Sequence, residues 1–485
     1  MRSRSRISWA AFLFVAGLAG SAGAANYGVF VEVETEEDLL DLLTSDQIDD
    51  DDFQTLRELL HEGVSVEHAD RDELYRLPNL TYADVDQILA YRKEVGRLNS
   101  PAALVPAGVL TQAKLEAIAP FLILGGGPTA KKKGRRLATG KVRYQTTFVG
   151  GDTQAPSMAI LGTAQAYQHL DLGFSAVTTR TRLGPVSYDP TRGANSGGAL
   201  AAEAPSTDAH LPKYFAEWKT PKWHIIGGTY RIGFGQRLTF DTSSQYTPNG
   251  IHPDNNVYYS QSMKKRCNES MGDELSDDPC VGDDGDKYMS PDYSWSERMR
   301  GIAMGARRLQ IAVGWLQAYA FGSYQSHRLS QYEIYNKRTC DDPTEDDNDD
   351  CKAPPLYKKL SDVDAETSKF SYGTLIDVYT ELLVGGNLSW FLNGRTHIGL
   401  TAYHSTIDWI ADNADMQLDF QEYSRLPYGG PFGAFGADAA WGMGKVDVFA
   451  EVARSVDSQP AGGGWGGVLR ATFATQKHEV EALAR

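Results

Sequence analysis

From Gly140 to the end of the chain, apolar residues recur at every second position, and a sequence that alternates for so long must build β-sheet. Val142, Tyr144, Thr146 and Phe148 share one face, with Arg143, Gln145 and Thr147 on the other. Val446, Val448, Ala450 and Val452 oppose Lys445, Asp447 and Glu451. The longest such run sets Ile376, Val378, Thr380, Leu382, Val384, Leu388, Trp390 and Leu392 against Asp377, Glu381, Asn387 and Ser389. Alternation of this kind suits a wall with lipid on one side and water on the other. It also suits a soluble sandwich, whose apolar face points inward.

The connections separate the two. Strands are expected near 139–149, 157–168, 170–183, 211–219, 223–238, 297–307, 310–328, 376–392, 396–409, 432–442, 445–455, 464–475 and 478–485. Long polar loops, 184–210, 239–296, 329–375 and 410–431, follow odd members of the series. Tight turns such as Thr220-Pro221-Lys222, Asn393-Gly394 and Gly444 follow even ones. One end therefore carries the long loops, the usual division between the outer and periplasmic ends of a bacterial barrel. Barrels of this kind close with an even strand count. The odd series, ending without a terminal aromatic at Arg485, predicts a barrel that is incomplete at the C-terminus.

The first 25 residues read as a secretory signal peptide. Arg2, Arg4 and Arg6 precede the uncharged stretch Ile7 to Gly20 and the small residues Ser21-Ala22-Gly23-Ala24-Ala25. No later apolar run approaches the roughly 18 residues of a membrane helix. Residues 26–125 form an acidic helical module. Phe53-Leu56-Leu59-Leu60 and Val85-Ile88-Leu89 recur at helical spacing, predicting five or six helices of about ten residues. Thr81 followed by Asp84 predicts a helix cap, Ser100-Pro101 another, and Gly96 a stop.

Within the module, Glu67 to Thr81 with Leu77-Pro78-Asn79-Leu80, continued by Ile88-Leu89-Ala90-Tyr91-Arg92, resembles the helix-hairpin-helix repeat of competence-type DNA receptors. Leu104 to Leu110, running into Leu115 to Leu122, resembles a second copy. The resemblance implies phosphate contact through backbone N–H groups at a helix N-terminus, here at Asn79, Leu80, Thr81 and Gly108. Asn79 and Thr81 stand where that family has glycine, and only Gly108 keeps it. Charge opposes the implied partner: residues 26–125 hold 21 Asp and Glu against 7 Lys and Arg, a field that repels a polyanion. The basic hinge 126–138 is the exception, with Lys131, Lys132, Lys133, Arg135 and Arg136 available to lipid headgroups or phosphates. The run Gly227 to Leu238 resembles a strand of the Gram-negative barrels that carry such N-terminal modules.

Four cysteines allow three connectivities. Cys267 with Cys280 and Cys340 with Cys351 closes the shortest loops, each worth about 3 kcal/mol of unfolded-state freedom in an oxidising compartment. The acidic loop residues Asp341, Asp346, Asp347 and Asp349, with Asp283 and Asp286, are hard oxygen donors suited to weakly held Ca2+, although they do not fit an EF-hand. No HExxH, CxxC, GxSxG or phosphate-loop motif occurs, and no other cofactor is implied.

The expected fold class is therefore α+β in separate domains. A small all-α helix-hairpin-helix module (26–125) follows the signal peptide (1–25), and a basic hinge (126–138) leads to an antiparallel transmembrane β-barrel (139–485). The expected location is the bacterial outer membrane, with the module in the periplasm. The expected role is non-enzymatic: transport, docking of a periplasmic protein on the module, or surface display. DNA uptake through the module and calcium-dependent adhesion through the outer loops are the alternatives.

Overall fold

Caps and prolines set where the helices of the N-terminal part begin and end. The computed structural model describes residues 27–122 and 138–485 apart from single positions and internal stretches, the longest being 192–197, 244–248, 260–289, 341–353, 360–374 and 425–430. The chain divides into two compact units, Met1–Gly125 with Thr472–Glu481, and Gly126–Ala471 with Ala482–Arg485.

In the first unit the described α-helices are Asp50–Glu62, Arg71–Tyr75, Tyr82–Val95 and Gln112–Ile118, with 3-10 turns at Pro101–Leu104 and Ala119–Phe121. Thr81 caps Tyr82–Val95 in a reciprocal box with Asp84, and Gly96 ends that helix at φ 73 with its N–H on the Arg92 carbonyl. Helix Gln112–Ile118 passes into a 3-10 turn at Ala119-Pro120, because proline has no N–H to continue the ladder. The second copy expected from sequence is thus shorter than the first. Phe53, Leu56, Leu59, Leu74, Leu77, Val85, Ile88, Leu104, Ile118 and Phe121 are buried. Tyr75 and Tyr82 stack at 3.6 Å, with the Arg71 guanidinium 4.4 Å from the Tyr82 ring.

The second unit is sheet. Its strands are β1 Ala138–Thr146, β2 Met158–Ala166, β3 Leu170–Thr181, β4 Val186–Asp189, β5 Ala199–Ala202, β6 Ser206–Lys219, β7 Trp223–Gly233, β8 Gly250–Pro253, β9 Tyr258–Tyr259, β10 Tyr293–Ser294, β11 Met299–Gln310 and β12 Trp315–Leu329. These are followed by β13 Ile334–Asn336, β14 Leu356–Lys358, β15 Leu375–Asn393, β16 Thr396–Trp409, β17 Leu418–Phe420, β18 Phe432–Met443, β19 Val446–Val456, β20 Trp465–Ala474 and β21 Glu479–Ala484. The main sheet runs β1-β2-β3-β6-β7-β11-β12-β15-β16-β18-β19-β20-β21, with β8 added on β7. Every wall strand thus pairs with its successor in the wall, the up-and-down order that short turns permit. Among the described residues no ladder joins β1 to β21, so the even, closed count of a bacterial barrel is not reached.

Burial along these strands is inverted relative to a water-soluble sheet. On β15, Leu382, Val384 and Leu388 are 48–50% exposed while Asn387 and Ser389 are 5% and 8% exposed. On β16, Ile398 and Leu400 are exposed, with Thr401 and Ser405 buried; on β19, Val452 is exposed, with Asp447 and Glu451 buried. Each aliphatic side chain left open forgoes about 1.5–3 kcal/mol of burial in water.

The structure corrects the sequence reading in three places. The start of β15 breaks the expected face. Asp377 adopts φ 62, so Val378 and Tyr379 are both buried instead of alternating. The strand expected over 223–238 ends at Gly233, where the chain turns away. The long polar loops also hold strands. β4, β5 and β14 form one small sheet, and β13 pairs with β17. Their Val186, Leu200, Leu356, Ile334, Leu418 and Phe420 share a core with Leu329, Leu375 and Val378 from the wall ends. Three loops distant in sequence therefore fold as one cap at the long-loop end.

Candidate functional site

The segment after β7 leaves the wall and meets strands that lie far along the sheet. Its departure begins at Gly233. Gly235 follows in the left-handed region (φ +59), where an added Cβ would stand 2.8 Å from Glu451 Oε2 and 2.9 Å from Asp438 Cβ. Only glycine permits that approach. Across from it, an added Cβ on Gly436 of β18 would strike Thr239 Oγ1. The two glycines let the segment reach strands β18 and β19, about 200 residues later in the chain.

This segment, residues 234–243, is a tongue with a stem and a tip. The stem returns to its own strand: Thr242 N–H donates to the Ile232 carbonyl (2.7 Å), Ile232 N–H to Thr242 Oγ1 (2.9 Å), and Arg298 Nη1 to the Thr242 carbonyl (2.5 Å). Two rings hold its flanks. Phe234 lies 5.2 Å from Tyr319 and 6.3 Å from Phe321, and Phe240 lies 5.1 Å from Phe321 and 4.8 Å from Tyr403. With Ile226, Tyr230, Ile232, Ile251 and Leu383 these form an apolar cluster on the buried face of the sheet.

The tip meets one carboxylate. Glu451 accepts N–H groups from Gln236 (2.6 Å), Leu238 (3.2 Å) and Thr239 (2.7 Å), and the Thr239 hydroxyl at 2.5 Å. A buried carboxylate so surrounded needs no counter-cation, because charge-assisted hydrogen bonds replace its hydration. Arg237 at the apex takes φ 65, a conformation that costs a side-chain-bearing residue about 1 kcal/mol or more.

The rest of the buried face carries several polar pairs. Lys213 meets Asp254 and also donates to the Ser296 carbonyl at 2.6 Å. His224 lies 2.5 Å from Glu217, His397 3.0 Å from Asp438, and Arg395 forks onto Asp447 at 2.9 and 3.0 Å. Glu381 sits between His327 (3.0 Å) and the Ser405 hydroxyl (2.5 Å). The carboxylate stands in the middle of this trio, an order different from the serine, histidine, carboxylate of a hydrolase triad.

The residues singled out for phosphate contact have other duties. Asn79, at φ 64 and buried, accepts the Val31 N–H through Oδ1 (3.0 Å) and donates Nδ2 to the Val31 carbonyl (2.6 Å). Leu80 is fully buried. Thr81 N–H donates to Asp84 Oδ2 at 2.7 Å, and Lys114 Nζ reaches the same oxygen at 2.5 Å. The N-terminus of helix Tyr82–Val95 is therefore filled by its own carboxylate. Gly108 forms the turn before Thr111, with its N–H on the Val105 carbonyl. Lys131, Lys132, Lys133, Arg135 and Arg136 lie outside the described residues, as do Cys267, Cys280, Cys351, Asp283, Asp286, Asp341, Asp346, Asp347 and Asp349. Cys340 is disulfide-bonded and packs beside Tyr335. Among the described residues no group of three or more His, Cys, Asp or Glu is arranged to hold a metal ion.

The tongue was missed in sequence because Phe234 fits the alternating strand expected over 223–238, while Phe240 falls in the long polar loop expected over 239–296. The usable signal was the glycine pair Gly233 and Gly235 bracketing an aromatic. Glu451 was placed on the polar face, but nothing in the sequence named its partners.

No family model matches the chain, and no curated protein matches it. Among solved structures, OmpT of Vibrio cholerae, in-vitro folded and in trimer form, is 11% identical with a TM-score of 0.25, covering 69% of this chain and 84% of that one. Salmonella typhi OmpF in complex with daunomycin is 9% identical with a TM-score of 0.24, covering 71% and 88%. Pseudomonas aeruginosa OccK5 is 11% identical with a TM-score of 0.15, covering 71% and 89%.

Proposed function

We propose that the second unit is a non-enzymatic transmembrane β-barrel of the bacterial outer membrane, a gated passage whose lumen is crossed by the tongue and whose outer mouth bears the folded cap. The observation that carries this reading is the inversion on β15, β16 and β19, where aliphatic residues are exposed and carboxylates, amides and hydroxyls are buried and bonded. No described helix is long and apolar enough to cross a membrane. The cap and the tongue favour a passage that rests closed over a freely open pore.

The first unit is proposed as a periplasmic docking module. Its residues 26–125 carry a net charge of −14, from 21 acidic and 7 basic residues, which suits a basic protein partner. DNA is the weaker reading, since Asp84 already holds the N–H group a phosphate would need.

The test uses the full-length chain refolded with phospholipid vesicles and then in a planar bilayer. Flotation with the vesicles, resistance to extraction by alkaline carbonate, and low resting conductance are expected. A protein that stays monodisperse in buffer without detergent or lipid overturns the reading.

A further inference from the structure

We propose that Glu451 is the latch of the passage, a single carboxylate whose release frees the tongue tip while the stem stays docked. The inference rests on reading the second unit as a passage, and deepens it by naming what holds that passage shut. Four donors of the tip, three of them backbone N–H groups, converge on Glu451. The stem bonds to Ile232 and Arg298 are independent of it. The tip is also held against its own preference, with Arg237 in the left-handed region between two residues that Glu451 anchors. Losing the carboxylate removes the four bonds that tie the tip to β19 and leaves the tip its internal ones, Arg237 N–H on the Phe234 carbonyl at 3.1 Å and Arg237 Nη1 on Ser243 Oγ at 3.0 Å. Gly235 supplies the pivot, being unhindered by a side chain at the point where the tip turns.

Among the described residues, the neighbouring wall carboxylates are held by other partners. Asp438, which also faces Gly235, is held by His397; Asp447 is held by Arg395, and Glu381 by His327 and Ser405. Glu451 alone among these takes its donors from an excursion of the chain outside the wall rather than from the neighbouring strand.

The experiment pairs two readouts on the full-length protein in lipid. Hydrogen exchange at the Gln236, Leu238 and Thr239 amides reports the latch, and single-channel conductance reports the passage. Glu451→Ala is expected to speed exchange at these amides about 10- to 100-fold, the range expected for hydrogen bonds to a charged acceptor, and to raise open probability. Glu451→Gln keeps the shape, retains one acceptor oxygen, and is expected to fall between. Unchanged exchange in both Glu451 variants overturns the latch whatever the conductance. Faster exchange without conductance overturns the passage reading and the opening role, while showing that Glu451 holds the tip.

Discussion

Whether the exposed aliphatic face meets lipid or water is decided by Val384→Arg. Val384 lies on the outward face of β15, 48% exposed. The inner end of that strand is marked by Trp390, whose indole N–H donates to the Val313 carbonyl in the tight turn before β12. Six residues at about 3.3 Å each place Val384 about 20 Å up the strand. A tilt of about 40° reduces this to about 15 Å of depth, near the middle of a hydrocarbon band about 25–30 Å thick. An arginine at that depth costs about 2–4 kcal/mol, and near an interface about 0–1 kcal/mol. Met443→Arg is the control, since Met443 is also open, at 68% exposed, but ends β18 beside the Gly444 turn. Equilibrium urea unfolding in vesicles, followed by tryptophan fluorescence, should show Val384→Arg less stable than Met443→Arg by about 2 kcal/mol or more. In water, replacing an open valine by arginine is worth within about 0.5 kcal/mol. Equal stabilities for the two variants would therefore refute the membrane reading.

Four further outcomes follow from the structure. Asn79→Ala loses two buried hydrogen bonds to Val31 and puts alanine at φ 64, a cost of about 3 kcal/mol. Asn79→Gly restores the backbone preference but not the bonds, so its helical transition by circular dichroism should fall between wild type and Asn79→Ala. Thr81→Ala should lower stability by about 1 kcal/mol through loss of the cap; a mobility-shift assay in which that variant acquires DNA binding would contradict the assignment of Asp84 as the occupant of the helix end. Asp38 is held below the usual carboxylate range by N–H groups of Glu34 and Thr35. Because its folded value is depressed, its contribution is present above about pH 4 and lost as pH falls through the folded value; Asp38→Asn should abolish that part of the acid dependence. Phe240→Ala removes a ring stacked on Phe321 and tilted against Tyr403, and should cost about 3 kcal/mol in the same urea assay.

Much of the wall was legible because a period of two leaves only one choice at each step. The expected 396–409 and the observed Thr396–Trp409 coincide, as do the capping residues Thr81 and Gly96 of the helical unit. What could not be read were pairings between segments without periodicity of their own. β5 is four small apolar residues, Ala199-Leu200-Ala201-Ala202, and its partner Leu356 lies over 150 positions away. Neither run is long enough to announce a strand, and their stability comes from sharing a core with Ile334 and Phe420. The same holds for the tongue. Local sequence sets that a glycine pair can turn, whereas the destination is fixed by Glu451 on a strand made much later.

The acid of this chain therefore serves two physical purposes that a total of −16 conceals. In the wall, Glu217, Glu381, Asp438, Asp447 and Glu451 are buried or half-buried, and each is bonded within the sheet or to the tongue. Such groups are costly to strand and are satisfied locally, so they fix strand register and the tongue rather than recruit a partner. In residues 26–125, by contrast, 21 acidic residues face only 7 basic ones, so most cannot be neutralised among themselves. Unneutralised surface charge acts at a distance and is weakened by salt. Binding of a basic partner to the full-length protein should consequently weaken steeply between about 50 and 300 mM salt, while the conductance and unfolding of the wall stay nearly constant over that range. A partner whose binding is insensitive to salt would have to engage something other than this acidic surface.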